Sequence, residues 1–114
     1  MPFQIDPQLS VRIAATELDN LIVRETQQAY QELIRLGDNY SDRYTGSSIS
    51  EIPGVEHARR FFRAIGIEPT RRRPSSEALL NRALKNKGFY SVNELVDVGN
   101  WCSLDFLLPI GIYD

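Results

Sequence analysis

Cysteine and histidine are nearly absent from this sequence of 114 residues, which contains one of each, Cys102 and His57. A single cysteine excludes an internal disulfide and any zinc site built from several cysteines, and its apolar surroundings favour a buried thiol in a reducing compartment. A lone histidine with no placed carboxylate or hydroxyl is weak support for acid–base catalysis. A structural or surface position is therefore the favoured interpretation of His57.

Long apolar runs and cofactor motifs are also missing. No stretch approaches the ~20 apolar residues that a membrane helix needs, and the N-terminus has no basic region followed by an apolar core. The sequence has no Gly-rich phosphate loop, no His/Glu metal pair at helical spacing and no Ser-His-Asp arrangement. We therefore expect a soluble cytoplasmic protein without a membrane partner, metal or cofactor, in which residues 1–114 form one domain.

Alternating apolar residues predict short strands, and helical periodicity predicts four helices after them. Phe3 and Ile5, and then Val11, Ile13 and Ala15, alternate with polar residues. The predicted helices run from Arg24 to Tyr44, from about Pro53 to Gly66, from Ser75 or Ser76 to Gly88, and from Val92 to about Leu107, and Ile110 and Ile112 then begin an extended segment. The predicted fold class is therefore α+β. A last strand without a partner leaves its backbone unpaired, so more chain or a second copy is expected to complete the sheet.

Basic residues are concentrated in residues 57–87, although the whole chain has a net charge of only −2. This segment contains nine Lys or Arg and two acids, and the remaining residues contain four basic and thirteen acidic ones. Such a segment is the electrostatic footprint of phosphate binding, but a solvated helix face followed by an exposed loop would give the same composition. Three consecutive guanidinium groups, Arg71, Arg72 and Arg73, stand directly before Pro74.

A polar stripe interrupts the apolar fourth helix. Asp97, Asn100 and Ser103 recur every three residues and so lie along one side of that helix. Polar groups within an apolar run must meet water, a partner residue or a ligand. Two interpretations stay open: these side chains cap neighbouring backbone inside the domain, or they line a binding site.

Four motifs in the second half resemble a known family. They are Arg-Pro-Ser-Ser-Glu-Ala-Leu-Leu at 73–80, Ser-Val-Asn at 91–93, Leu-Val-Asp-Val-Gly-Asn at 95–100, and Leu-Pro-Ile-Gly-Ile-Tyr-Asp at 108–114. Together they resemble the B3/B4 editing domain of the β subunit of bacterial phenylalanyl-tRNA synthetase, over residues 55–114. The sequence of the first motif is closer to that of free-standing proteins of this kind than to that of the synthetase itself.

The resemblance implies a fold, an activity and a set of site residues. The implied fold is a mixed three-layer α+β domain of which this chain holds the N-terminal part. The synthetase domain hydrolyses tyrosine wrongly attached to the phenylalanine tRNA by positioning water against the ester. Asn100 matches the family's pocket asparagine, Asp97 lies beside it, and Gly111 stands where the synthetase motif has a pocket histidine. These three residues are the predicted substrate-binding positions, and no catalytic residue is assigned.

Three functional hypotheses follow. The first is a free-standing tRNA-binding module of the editing type, an aminoacyl-tRNA deacylase that uses Arg71, Arg72 and Arg73 to contact tRNA phosphates. The alternative role for Arg73 is to fix the start of the third helix, because an arginine before Pro-Ser recurs in the resemblance. The second hypothesis is a non-catalytic module that binds an amino acid or another small ligand, since the pocket histidine is absent at Gly111. The third is a protein-interaction fragment, against which the basic segment argues.

Overall fold

Four α-helices are the main regular elements of the computed structural model, which describes residues 4–113. The α-helices are α1 (Gln28–Tyr44), α2 (Val55–Ala64), α3 (Ser75–Leu84) and α4 (Glu94–Phe106), and a short 3₁₀ helix, Ile49–Glu51, lies between α1 and α2. Each α-helix agrees with a predicted one to within a few residues at either end. The described part of the chain contains no helix with the length and apolar character needed to cross a bilayer.

The predicted α+β fold class is wrong for the described residues, which contain no strand and no sheet. Residues 11–15 and 110–113 form no backbone ladder, and Phe3 lies outside the described residues. Apolar alternation stabilises a strand only when a neighbouring strand accepts its hydrogen bonds and a core covers one face. Ile13 is 55% exposed and Ile112 is 46% exposed, so neither segment has such a cover. Residues 110–113 therefore form no unpaired strand. The expectation that more chain or a second copy completes a sheet loses the observation on which it was based.

Helix α1 is the central element, and it packs against both α3 and α4. Its apolar positions at intervals of three and four place Ala29 and Leu33 in the interior. Gly37 follows on the same side, where a Cβ atom would lie 2.6 Å from Cε2 of Phe89. The missing side chain thus allows the chain between α3 and α4 to lie directly against α1.

The core is formed by aliphatic side chains from all the helical regions. Six buried residues pack together: Leu33, Ile52, Val55, Leu80, Leu104 and Leu107. Leu107 ends α4 in the left-handed backbone region at a φ of 53°. The core therefore joins α1, which precedes the motifs of the second half, to the helices that carry them.

The ends of α3 and α4 differ in detail from prediction. Helix α3 begins at Ser75 with Pro74 at the N-cap and without a capping side chain, so neither Ser75 nor Ser76 caps it. It ends at Leu84, before the expected Gly88. The amide oxygen of Asn93 caps α4 by accepting a hydrogen bond from the backbone N–H of Val96 at 2.9 Å.

Candidate functional site

The three consecutive arginines lie on the connection from α2 to α3, in an exposed stretch between two buried prolines. Pro69 and Pro74 are both fully buried, and residues 70–73, here called the arginine loop, are all exposed. The backbone N–H groups of Arg71 and Arg72 each donate to the carbonyl oxygen of Glu68 at 3.0 Å. The Thr70 hydroxyl donates to the Glu68 carboxylate at 3.1 Å. The loop is therefore fixed at both ends while its side chains face solvent.

The guanidinium groups of the arginine loop are not equivalent. Within residues 4–113, neither Arg71 nor Arg72 forms an ion pair. Nε of Arg73 lies 3.9 Å from Oε1 of Glu77 in the first turn of α3. This contact fits the alternative role for Arg73, which is to hold the start of α3, and leaves Arg71 and Arg72 as the free pair.

Other basic residues of segment 57–87 are engaged inside the protein. Nε of Arg59 donates to Oε2 of Glu77 at 2.8 Å, and NH1 of Arg63 donates to Glu56 at 2.6 Å. Nε of Arg82 donates to the carbonyl oxygen of Gly88 at 2.8 Å. Among the described residues, the basic side chains of this segment that form no ion pair and no hydrogen bond are Arg60, Arg71, Arg72, Lys85 and Lys87.

The pair formed by Arg59 and Glu77 was not predicted from the sequence. The Glu77 side chain is only 3% exposed and that of Arg59 is 14% exposed, and a second hydrogen bond joins the guanidinium to Oε1 of the carboxylate. These hydrogen bonds raise the pKa of Arg59 above its usual range. Glu77 shares the buried side of α3 with Leu80. An acid on that apolar side requires a cationic partner. The position of Glu77 among apolar residues was therefore the feature of the sequence from which a buried ion pair could have been predicted.

The polar stripe of α4 is mostly satisfied from within the domain. Asp97 is fully buried, and its carboxylate accepts hydrogen bonds from the Ser91 hydroxyl at 2.7 Å and from the backbone N–H of Val92 at 3.3 Å. The Ser103 hydroxyl donates to the carbonyl oxygen of Leu108 at 2.7 Å. Both side chains thus fasten the segments that flank α4, and the substrate-binding role of Asp97 stays a prediction.

Asn100 differs from its two neighbours in the stripe. It is half-buried, and its side chain forms no hydrogen bond with the described residues. The chain after α4 returns to the helix beside it, because a Cβ atom on Gly99 would lie 2.9 Å from Cδ1 of Ile112. The amide of Asn100 is therefore available for a ligand, next in sequence to the glycine that the returning segment contacts.

Gly111 lies in this returning segment beneath the ring of Tyr113. A Cβ atom at position 111 would lie 2.7 Å from both Cε2 and the hydroxyl oxygen of Tyr113. The tyrosine ring therefore occupies the space that a side chain at this position would need. Within residues 4–113 no three His, Cys, Asp or Glu side chains come together in a group that could hold a metal ion.

Two open depressions lie elsewhere on the described surface. One of about 680 Å³ lies between the start of α1 and α4 and is lined by residues that include Glu32, Glu94 and Trp101. The other, of about 290 Å³, lies near Tyr40 and Asp105. Neither is lined by Asn100, Gly111 or the arginine loop, so the predicted site residues do not converge on either of these depressions.

Comparisons with known proteins gave one match. The family model described as the B3/4 domain matches residues 57–114, from α2 to the end of the chain. The match covers the arginine loop, the polar stripe and the returning segment, whereas α1 precedes it. Neither the curated proteins nor the solved structures gave a match.

Proposed function

The chain belongs to the B3/4 domain family, and on that premise we propose that it is a tRNA-binding module of the editing type that acts on mischarged aminoacyl-tRNA. The observation that carries the proposal is the arginine loop, which lies inside the matched region. Its Arg71 and Arg72 are exposed and form no ion pair within the described residues.

Phosphate is the ligand that this loop fits best. A guanidinium group offers several N–H donors in a planar fork that matches a phosphate oxygen pair, and it stays charged at any physiological pH. The two buried prolines and the hydrogen bonds to Glu68 hold the loop in place before a ligand arrives. Little backbone conformational entropy is then lost on binding. We expect Arg71 and Arg72 to contact the tRNA backbone and not its bases.

Asn100 is the residue that we assign to the aminoacyl end. In hydrolysis of the ester, the oxygen of a water molecule bonds to the carbonyl carbon, and the bond from that carbon to the ribose oxygen breaks. The proton from the water is then transferred to the released ribose oxygen. A side-chain amide can stabilise the negative charge that develops on the carbonyl oxygen by donating an N–H. Asn100 has its amide free for this purpose, and catalysis would rest on positioning.

A second function is favoured by one specific observation. Gly111 has no side chain to orient water, and the Tyr113 ring lies over it. A B3/4 domain with this change would bind a free amino acid or another small ligand without hydrolysing an ester. Such a module would be stabilised against heat by one amino acid and would not bind tRNA.

The phosphate contacts are tested by measuring tRNA affinity at several salt concentrations. Replacing Arg71 and Arg72 together by alanine should weaken binding to every tRNA alike and reduce the slope of log affinity against log salt by roughly 1 to 2, because fewer counterions are released. The matched control is Arg35→Ala with Arg43→Ala, which removes the same charge from exposed positions of α1. An equal loss in both double variants would mean that only net charge matters.

Deacylation of mischarged tRNA tests the chemistry. The wild-type chain should accelerate hydrolysis of at least one mischarged tRNA, and Asn100→Ala should slow it by roughly 100-fold, the usual effect of removing one oxyanion donor. Asn39→Ala removes an exposed amide from α1 and serves as the control. No acceleration over buffer with any mischarged tRNA would refute the enzymatic part, and a melting screen against amino acids would then decide on the second function.

A further inference from the structure

The connection between α3 and α4 is held rigidly on both sides of Tyr90. On one side, the Tyr30 hydroxyl donates to the carbonyl oxygen of Phe89 at 2.6 Å, and the Phe89 ring packs against Gly37. On the other side, the Ser91 hydroxyl donates to the carboxylate of Asp97 at 2.7 Å. Because both neighbours are fixed, the outward direction of the Tyr90 side chain is set by the fold.

Tyr90 is nevertheless 77% exposed, which leaves a large aromatic side chain facing water. One face of the ring lies against the guanidinium group of Arg82, whose Cζ atom is 4.7 Å from the ring centroid. Arg82 itself is fixed by its hydrogen bonds to the carbonyl oxygens of Gly88 and Lys87, at 2.8 Å and 3.3 Å. The ring therefore rests on a hydrogen-bonded cation, and its other face is open.

Two further basic residues, Lys85 and Lys87, precede Tyr90 in the same connection. Lys85 and Lys87 are both exposed, and within residues 4–113 neither forms an ion pair. An exposed aromatic face in a connection that also carries two unpaired lysines is complementary to a nucleotide, which presents a planar base and a phosphate. An apolar protein partner would match the ring alone and would leave both lysines without a counter-charge.

We infer that Tyr90, Arg82, Lys85 and Lys87, together called the tyrosine platform, bind an unpaired nucleotide of RNA. The base stacks on the open face of Tyr90, and the adjoining phosphates contact the two lysines. A paired base has no free face to offer, so the platform selects single-stranded segments regardless of sequence. The inference deepens the proposed tRNA binding and rests on it, but it concerns a different surface from the arginine loop.

The test uses the full chain and three probes, which are a short single-stranded oligouridylate, an RNA duplex of the same length, and tRNA. Tyr90→Leu should weaken binding of the single strand by about ten-fold, whereas Tyr90→Phe should bind as the wild type does. Val92→Ala, which removes apolar surface from another exposed side chain of the same connection, is the matched control and should change nothing. Lys85→Ala with Lys87→Ala should lower both the affinity for the single strand and its salt dependence.

Stacking itself has a direct readout. A single strand that carries a fluorescent purine analogue should lose emission on binding to the wild type and to Tyr90→Phe, but not to Tyr90→Leu. Since Tyr90 is exposed, all variants should have the melting temperature of the wild type. If Tyr90→Leu is less stable, Tyr90→Phe still tests the proposal, because it keeps the aromatic ring and should keep the binding.

The outcomes separate the platform from the proposed function. If Tyr90→Leu binds the single strand and tRNA as tightly as the wild type, the platform is refuted, while tRNA binding through the arginine loop stands. If Tyr90→Leu loses duplex and single-strand affinity equally, base stacking is refuted. If the wild type binds none of the three probes, both proposals fail together. A tRNA affinity that falls in the Arg71 and Arg72 double variant but not in Tyr90→Leu identifies the arginine loop alone as the RNA contact.

Discussion

The hydrogen-bonded pair of Arg59 and Glu77 gives the first motif of the second half a structural role. Glu77 is the acid of the Arg-Pro-Ser-Ser-Glu-Ala-Leu-Leu segment, and its carboxylate joins α2 to α3 from a nearly buried position. Nε of Arg73 in the same motif lies 3.9 Å from the same carboxylate. The motif therefore fixes the two ends of the connection that presents Arg71 and Arg72.

Breaking this pair should cost considerable stability. Arg59→Ala leaves the Glu77 carboxylate nearly buried with only the distant Arg73 as a partner, and we expect the free energy of unfolding to fall by about 2 kcal/mol. Arg63→Ala breaks the exposed pair with Glu56 and should have no measurable effect. Urea unfolding followed by circular dichroism compares the two variants. Equal losses would show that burial of the pair is not what makes it stabilising.

Tyr40 makes the free energy of unfolding fall as the pH rises into the alkaline range. Burial raises the pKa of its phenol above the ordinary value of 10.0, and the carboxylate of Asp105 acts in the same direction. The folded chain then holds this proton more tightly than the unfolded chain does. The stabilisation is fully present below pH 10.0 and is lost as the pH rises through the folded pKa, since the unfolded chain ionises first.

The check is urea unfolding of the wild type and Tyr40→Phe across this pH range. The variant lacks the hydrogen bond to the carbonyl oxygen of Leu104, so it should be less stable at neutral pH by about 1 kcal/mol. Its stability should fall less steeply above pH 10.0 than that of the wild type. The other tyrosines and the lysines contribute to both slopes, so parallel curves would exclude a role for Tyr40.

Residues whose partners lie outside their own helix were the ones that the sequence could not explain. The spacing of Asp97, Asn100 and Ser103 revealed the polar stripe. It did not show which of the three side chains lacks a partner inside the domain. Asp97 is bound by Ser91 and Val92, whose position depends on how the connection before α4 folds. The interpretation as internal caps therefore describes Asp97 and Ser103, whereas Asn100 has no side-chain partner within the described residues and its binding role stays a prediction.

At the scale of elements, the four helices were predictable and the strands were not. A helix satisfies its own backbone, so apolar residues at the correct spacing are sufficient to predict it. A strand requires a partner that local sequence does not specify. Residues 11–15 have no such partner in the described chain, and their alternation was misleading for this reason.

The contact of α1 with the connection before α4 can be tested at Gly37. Alanine at this position should stabilise an isolated helix by about 1 kcal/mol. Its Cβ atom would however lie 2.6 Å from Cε2 of Phe89, which packing and the Tyr30 hydrogen bond hold in place. We expect Gly37→Ala to lower the free energy of unfolding by roughly 1 to 2 kcal/mol.

The double variant Gly37→Ala with Phe89→Leu shortens the obstructing ring and should recover part of this loss in the same unfolding measurement. Because Phe89 precedes Tyr90, Gly37→Ala should also weaken binding of the single-stranded oligouridylate. A gain in stability from Gly37→Ala would mean that the ring moves aside freely and that the tyrosine platform is not rigidly held.

At the scale of the whole molecule, the B3/4 match and the folding unit do not coincide. The match begins at residue 57, yet α1 supplies Leu33 to the core and holds Phe89 through Tyr30. The Thr26 hydroxyl, just before α1, donates to the carboxylate of Glu94 at 2.6 Å. The matched segment therefore depends on chain that precedes it. By contrast, residues 4–25 are all exposed apart from the half-buried Leu9 and Val11.

Two truncated chains test this division. A chain that begins at Glu25 retains Thr26 and α1, and its free energy of unfolding should stay within about 0.5 kcal/mol of that of the full chain, because almost no buried contact is removed. A chain that begins at Val55 retains the whole match but loses Leu33, Tyr30 and Gly37, and it should show no cooperative unfolding transition. Tryptophan fluorescence of Trp101, which packs against the core, reports both transitions. Cooperative unfolding of the shorter chain would show that α1 is an addition to the family segment and not part of its core.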